Sequence, residues 1–454
     1  MRPSRTPVEA ERRRPPDVRS RRRSARTPRT RASLVLILCL ACASGAAAAP
    51  AALAQPDESS LVVYHWWVSS SETNALGALV KVFDAKYPDV REKRTFAPDR
   101  GGTLFTILSG LMRAGKPPDA IVMQTGYNMR PFIDAGLLAS LDDLWTSEGL
   151  ERVIPPTLRE MHKFDGHYYS VPINVQRTNL VWHNKRLLDK HGIDPATLTT
   201  WDRLFDAAAK LRQAGVSTPI QLAASWTVGQ LFESIMASLG IATYEDWVNG
   251  KIRSATDPRL TEALGLLKRY AGFVNKDHVG LDWTAALGRV ARGESAFYTM
   301  GDWANGDFRA AGLAYGRDYS AFVVPGTKGL YGVTIDSFVQ PRGLARPTNS
   351  NRWLQIAASR EGQDAFNVQK GSIPARIDPT VDRYDAYQKS AIAGFRQSVV
   401  YPTFGGATPG AYVRRLEATL DAFVDHGDVR RAATEVATAA VSSERSFTRV
   451  WSLD

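Results

Sequence analysis

Two hydrophobic rhythms alternate along the chain. Leu61 to Trp67 (Leu-Val-Val-Tyr-His-Trp-Trp) is dense in β-branched and aromatic residues and predicts a strand. Polar Ser69, Ser70, Ser71 and Glu72 interrupt it. Leu76, Leu79, Val80, Phe83 and Tyr87 then recur at helical spacing, with the serines placed to cap that helix. The alternation repeats in a short strand over 91–96, a Gly101-Gly102 loop, and a helix carrying Leu104, Ile107, Leu108 and Leu111. An apolar strand from Ala120 to Met123 follows, with Gln124 at its end. Residues 171–182 read as extended, polar on one face through Asn174, Arg177 and Asn179, and are expected to cross between domains.

A helical block comes next, over Trp201–Gln213, 230–239, 259–273 and 284–291. A strand over 296–300 ends in the loop Gly301-Asp302-Trp303. Strands return over 322–324 and 333–337, and helices over 352–366 and 411–441. This order predicts an α/β protein of two lobes, each built from discontinuous segments, with a cleft between them. In open α/β sheets small ligands bind beyond the carboxyl ends of the strands. The chain puts Trp66, Trp67 and Glu72 at one such end and Gln124 at another. Flat indoles beside a hydrogen-bonding carboxylate suit a molecule with an apolar face and a hydroxylated rim, such as a sugar ring.

Charge at first points elsewhere. The formal net charge of +11 over 454 residues is the kind of basicity that nucleic-acid binders carry. Residues 1–54, however, hold twelve arginines against Glu9, Glu11 and Asp17, leaving 45 basic and 43 acidic residues in the rest. The basicity belongs to a leader, and no nucleic-acid partner is expected. The leader reads as an export signal: an arginine-rich segment ending at Arg31, the apolar run Leu34–Ala41, and Ala52-Leu53-Ala54 as a signal-peptidase site. The apolar run is shorter than the roughly 20 residues that span a bilayer. Ser20-Arg21-Arg22-Arg23 as a twin-arginine signal, and Cys42 as a lipid anchor, are the rival readings. Cys39 and Cys42 are the only cysteines, so an exported mature chain has neither disulfides nor thiolate chemistry.

Other chemistry is thinly represented. Gly110 to Lys116 nearly matches a phosphate-binding loop, but Pro117 occupies the Ser/Thr position, so Gly115 reads as a helix cap and Pro117 as a stop. The histidines lack metal-ligand spacing, and Gly293-Glu294-Ser295-Ala296-Phe297 fails as a nucleophile elbow. No metal, cofactor or catalytic residue is expected. Each carboxylate also has a structural account: Glu72 at a helix N-terminus, Asp302 in an Asx turn. Lys370 is equally readable as a solvated lysine ending a helix, and alternation along the strand lets only one of Trp66 and Trp67 face a cleft.

Taken in order, several segments resemble a known family. These are His65-Trp66-Trp67 with Glu72, Gly115-Lys116-Pro117-Pro118-Asp119, Val171 to Asn179, Ser225-Trp226-Thr227, Met300-Gly301-Asp302-Trp303-Ala304, Ile335-Asp336-Ser337 and Lys370 to Arg376. The chain is similar to the extracellular solute-binding proteins of ABC sugar importers, in particular the glucose/mannose-binding members. The resemblance implies a two-lobed periplasmic-binding-protein fold that closes on a sugar and delivers it to permease subunits in the inner membrane. It implies a periplasmic monomer that performs no catalysis. Trp66 and Trp67 then take the place of sugar-stacking residues, and Glu72, Asp302, Asp336 and Lys370 of hydroxyl-binding residues, with Asn174, Trp226 and Trp303 as further contacts. Gln124 stands where members carry a basic side chain. Phe404 stands near a ligand-binding histidine, which adds a phenyl ring where a polar contact is expected. The expected division is a signal peptide over 1–54, one lobe from 55–172 and 322–375, and the other from 173–321 and 376–454. A glycoside hydrolase using Glu72, Asp302 and Asp336, or a surface polysaccharide binder without a transporter, are the alternatives.

Overall fold

The computed structural model describes residues 59–96, 102–224, 226–344 and 347–444, which lie within one compact unit, Pro56–Asp454. The export-signal reading falls on residues outside this description. No helix among the described residues is long and apolar enough to cross a membrane.

The described strands are β1 (Ser60–His65), β2 (Arg91–Phe96), β3 (Ala120–Gln124), β4 (Lys163–Phe164), β5 (His167–Tyr168), β6 (Val171–Pro172) and β7 (Gln176–Arg177). They continue with β8 (Leu180–Asn184), β9 (Ile220–Gln221), β10 (Phe297–Thr299), β11 (Tyr319–Val323), β12 (Leu330–Thr334), β13 (Asp336–Val339) and β14 (Val399–Pro402). A five-stranded sheet runs β2-β1-β3-β13-β6, parallel over its first three strands and antiparallel around β13. A four-stranded sheet runs β11-β8-β10-β9. A small third sheet runs β14-β12-β7. Strands β4 and β5 form a separate hairpin.

The extended stretch 171–182 visits all three main sheets in turn: β6 in the first, β7 in the third, β8 in the second. The stretch 333–337, expected as one strand, is shared between β12 and β13, which belong to different sheets. Chain crossings of this kind are where one lobe hands over to the other. Strand β11 belongs to the four-stranded sheet, so that sheet extends past the division expected between 321 and 322.

Helices cover both sheets because their apolar stripes have nowhere else to go. Ser70–Lys86 buries Ala75, Leu76, Leu79, Val80 and Phe83, the last lying 5.4 Å from Trp353. A buried side chain of this size contributes about 1.5–3 kcal/mol. Its start is a reciprocal capping box: Ser69 Oγ accepts from the Glu72 amide and Glu72 Oε2 accepts from the Ser69 amide. Gly115, in the left-handed region with φ 67°, ends the 102–113 helix, as the structural account of that near-motif requires.

Three helical expectations need correction. The helix expected over 352–366 is two, Pro347–Ala358 and Arg360–Lys370, because Ser359 caps the second through the Gly362 amide. The one over 411–441 breaks at Gly427, with φ 62°, and restarts on the Asp428 cap. Trp303–Ala310, expected as a loop at its start, is a helix.

Candidate functional site

The carboxyl ends of β1 and β3 and the start of β13 lie along one edge of the first sheet, with Asp336 paired to Gln124 across the ladder. Trp66, Trp67 and the capped start of the Ser70–Lys86 helix leave this edge. In the second sheet the end of β10 delivers Met300 to Trp303. Trp182 fixes that loop by donating its indole N–H to the Met300 and Gly301 carbonyls, at 2.9 and 3.2 Å. The Asp302 amide donates to the Arg177 carbonyl on β7 at 2.9 Å, tying the loop to the crossing strands.

The structure gives the three carboxylates three different environments. Glu72 is fully buried. Its Oε2 accepts from the Val68 and Ser69 amides and its Oε1 from Lys370 Nζ at 2.6 Å. Lys370 is equally buried, so the solvated-lysine account fails. It is the last residue of the Arg360–Lys370 helix, held by the left-handed Gly371 behind it. Asp336 Oδ2 accepts from Trp67 Nε1 at 3.1 Å, Asn174 Nδ2 at 3.3 Å and Gln176 Nε2 at 3.0 Å, while the Asp336 amide donates to Asn174 Oδ1. Asp302 differs. Oδ2 accepts a long bond from Tyr387 Oη, 3.4 Å, and Oδ1 is buried with no partner within the protein. Burial drives its carboxyl well above the ordinary carboxylate range, against the Arg177 backbone amide and the charges of Lys370 and Arg177.

The tryptophans divide likewise. Trp67 is committed: its ring packs 4.8 Å from Phe366 and 5.9 Å from Phe338, and its indole N–H is spent on Asp336. Trp67 thereby holds Asp336 in place. Trp66 is buried and makes no ring-to-ring contact among the described residues. Trp303 lies 6.1 Å from half-buried Trp226 and 6.4 Å, edge-on, from Trp283. Its Nε1 is buried without a partner within the protein. Gln124 is half-buried at the end of β3, beside a cavity of about 40 Å³ lined by Thr125, Gly126, Tyr127, Ile335, Thr403 and Gly406 among others.

Phe404 does not enter this region. Its ring stacks on Trp247 at 5.1 Å in the core of the second lobe. The phenyl ring expected in the pocket is therefore absent from it. Gln176, Trp182, Trp283 and Tyr387 were not singled out from the sequence. Gln176 was within reach, since it shares parity with Asn174 on an extended segment. The other three are brought in by packing from distant elements.

Comparison with known proteins resolves the family. The profile of the family described as bacterial extracellular solute-binding protein matches residues 69–364. An ABC transporter extracellular-binding protein of Pyrococcus horikoshii is 40% identical over 387 residues, covering 84% of this chain and 87% of the relative. This chain belongs to the bacterial extracellular solute-binding proteins. A probable sugar-binding periplasmic protein of Brucella melitensis is 31% identical over 376 residues, covering 82% and 88%. A bacterial solute receptor described as having an exclusive preference for β-D-galactopyranose shares the two-lobed fold at TM-score 0.74 and 18% identity, over 86% of this chain and 99% of that one. Proteins of this family capture solutes for ABC importers and leave them unaltered. The relatives are binding components of ABC transporters and not enzymes.

Proposed function

We propose that this solute-binding protein captures a carbohydrate, a monosaccharide of the glucose or mannose type or a small saccharide, by closing its two lobes over it. It works in the periplasm as a monomer and hands the sugar to ABC permease subunits in the inner membrane. One observation carries the reading. Asp302 Oδ1 and Trp303 Nε1, an acceptor and a donor from adjacent residues, are buried without partners beside the Trp226 and Trp283 indoles. A buried polar atom left unpaired costs about 1–3 kcal/mol. A sugar hydroxyl both donates and accepts, and the C–H face of the ring packs on indole. The relatives described as sugar-binding support the same class.

On this reading the lobes are those expected from the sequence, 55–172 with 322–375 and 173–321 with 376–454, save that residues 322 and 323 stay with β11 in the second lobe, behind a leader ending at residue 54. Trp66 remains the candidate stacking face of the first lobe. Gln124 sits at the rim, where its amide replaces a cation and shifts selectivity among sugars. The test is a thermal-shift and calorimetric panel of D-glucose, D-mannose, D-galactose, D-xylose and their disaccharides. Ligand at about 100 times Kd stabilises by about 2.7 kcal/mol. At least one sugar is expected to bind, and Asp302→Ala to weaken it at least tenfold. A flat panel, or full affinity in Asp302→Ala, refutes the proposal.

A further inference from the structure

The Trp303–Ala310 helix belongs to the second lobe. Phe308 stacks on Tyr319 of β11 at 4.3 Å and lies 5.9 Å from Trp182 of β8, and Asn305 Oδ1 accepts from Tyr319 Oη at 2.6 Å. Its opposite face meets two helices that pack over the first sheet, Ser70–Lys86 and Arg360–Lys370. The approach is backbone to backbone. A Cβ on Gly306 would overlap the Lys370 carbonyl and lie 2.7 Å from Ser71 Cβ, and one on Gly371 would overlap the Gly306 amide.

Two charged side chains flank that glycine seam. Asp307 reaches the start of the 17-residue Ser70–Lys86 helix. It accepts from Ser69 Oγ at 2.9 Å, Ser71 Oγ at 2.8 Å and the Ser71 amide at 3.2 Å. Arg309 reaches the last turn of the Arg360–Lys370 helix and donates to the Val368 carbonyl at 2.7 Å. An anion thus meets the positive end of one helix and a cation the negative end of another, each matched to the dipole it faces. Neither residue is among the sugar-site candidates. Each spans from one lobe to the other.

We propose that Gly306, Asp307 and Arg309 form a latch that holds the closed cleft, contributing to solute affinity without touching the solute. This rests on the cleft-closure reading above. On that reading the latch comes together as the lobes close, so its bonds add to the closed state and raise apparent affinity through the closed fraction.

The test uses calorimetry over the same sugar panel and small-angle scattering with and without sugar. Asp307→Asn and Arg309→Met are each expected to weaken every bound sugar by the same factor, about tenfold, with the order of preference unchanged. A changed order would make Asp307 a pocket residue and overturn the latch, as would unchanged affinity in both variants. A second variant works even when no sugar binds. In the full chain carrying Cys39→Ser and Cys42→Ser, Ser71→Cys with Asp307→Cys should form a disulfide that makes the oxidised protein more compact than the reduced. Failure to cross-link, or equal size in both states, overturns the latch. A compacting cross-link together with a flat wild-type sugar panel overturns the carbohydrate reading and leaves the latch standing.

Discussion

Replacing Glu233 with Gln should stabilise the protein at neutral pH and leave it unchanged in acid. Glu233 lies on the Trp226–Ser238 helix, fully enclosed, with Oε2 accepting from the Phe404 amide at 3.1 Å and Oε1 without a partner. Burial pushes its carboxyl from 4.5 up to about 8; the Phe404 amide and the Thr178 hydroxyl oppose only part of that rise, and nearby Glu417 adds to it. The folded state therefore keeps a proton that the unfolded chain gives up above 4.5. Stability from this residue is fully present below that value and is lost as pH rises towards 8. At pH 7 the loss is about 3 kcal/mol, at 1.36 kcal/mol per pH unit. Glutamine keeps an acceptor for Phe404 and cannot ionise. Denaturant titrations of both proteins at pH 5, 6, 7 and 8 give the difference directly. The variant should come within about 1 kcal/mol of wild type at pH 5 and exceed it by about 3 kcal/mol at pH 7. Parallel curves would show that the Glu233 carboxyl ionises freely and would refute the argument.

Three further outcomes follow. Burial holds the His183 imidazole at about 4, below its usual 6.5, with Lys185 acting in the same direction. The unfolded chain takes up the proton first, so stability is full above 6.5 and falls by about 3 kcal/mol as pH drops to 4. His183→Phe should flatten that acid limb in urea titrations between pH 4 and 7, and an unchanged limb counts against it. Lys370→Met strands the Glu72 carboxylate in the interior and should cost about 3–5 kcal/mol in thermal or denaturant unfolding. Combining it with Glu72→Gln should restore most of that, and additive losses would mean that the pair is not coupled. Phe404→His should lower stability and leave sugar affinity unchanged, because the imidazole enters the Trp247 core. A gain in affinity on calorimetry would place residue 404 at the solute.

Much of the fold was legible because burial leaves a period in the sequence. The helix Trp201–Gln213 is read to the residue, since Thr200 caps it and its apolar stripe is uninterrupted. The crossing segment 171–182 was visible through its alternating polar face. Illegible parts depend on tertiary context. Ser359 looks like any mid-helix serine until its side chain is seen capping the Gly362 amide. Trp303–Ala310 is a two-turn helix with glycine inside it. Its stability comes from the lobes on either side, not from propensity. Within the site, residue types were readable and commitments were not. Trp67 and Trp66 look alike in sequence, yet one indole is fixed to Asp336 and the other is not.

That difference in commitment narrows what the cleft has to offer a solute. Glu72 is neutralised by Lys370 and by two amides at a helix start, and Asp336 by an indole and two carboxamides. Moving either group onto a ligand would first break bonds already made in a buried setting, where each is hard to replace. Asp302 alone among the three keeps an oxygen without a partner, and the neighbouring Trp303 keeps its N–H. On the proposed reading, a solute that satisfies that one acceptor and that one donor relieves two buried groups the protein leaves unpaired. Selectivity built this way favours a ligand with a correctly placed hydroxyl above an aromatic wall.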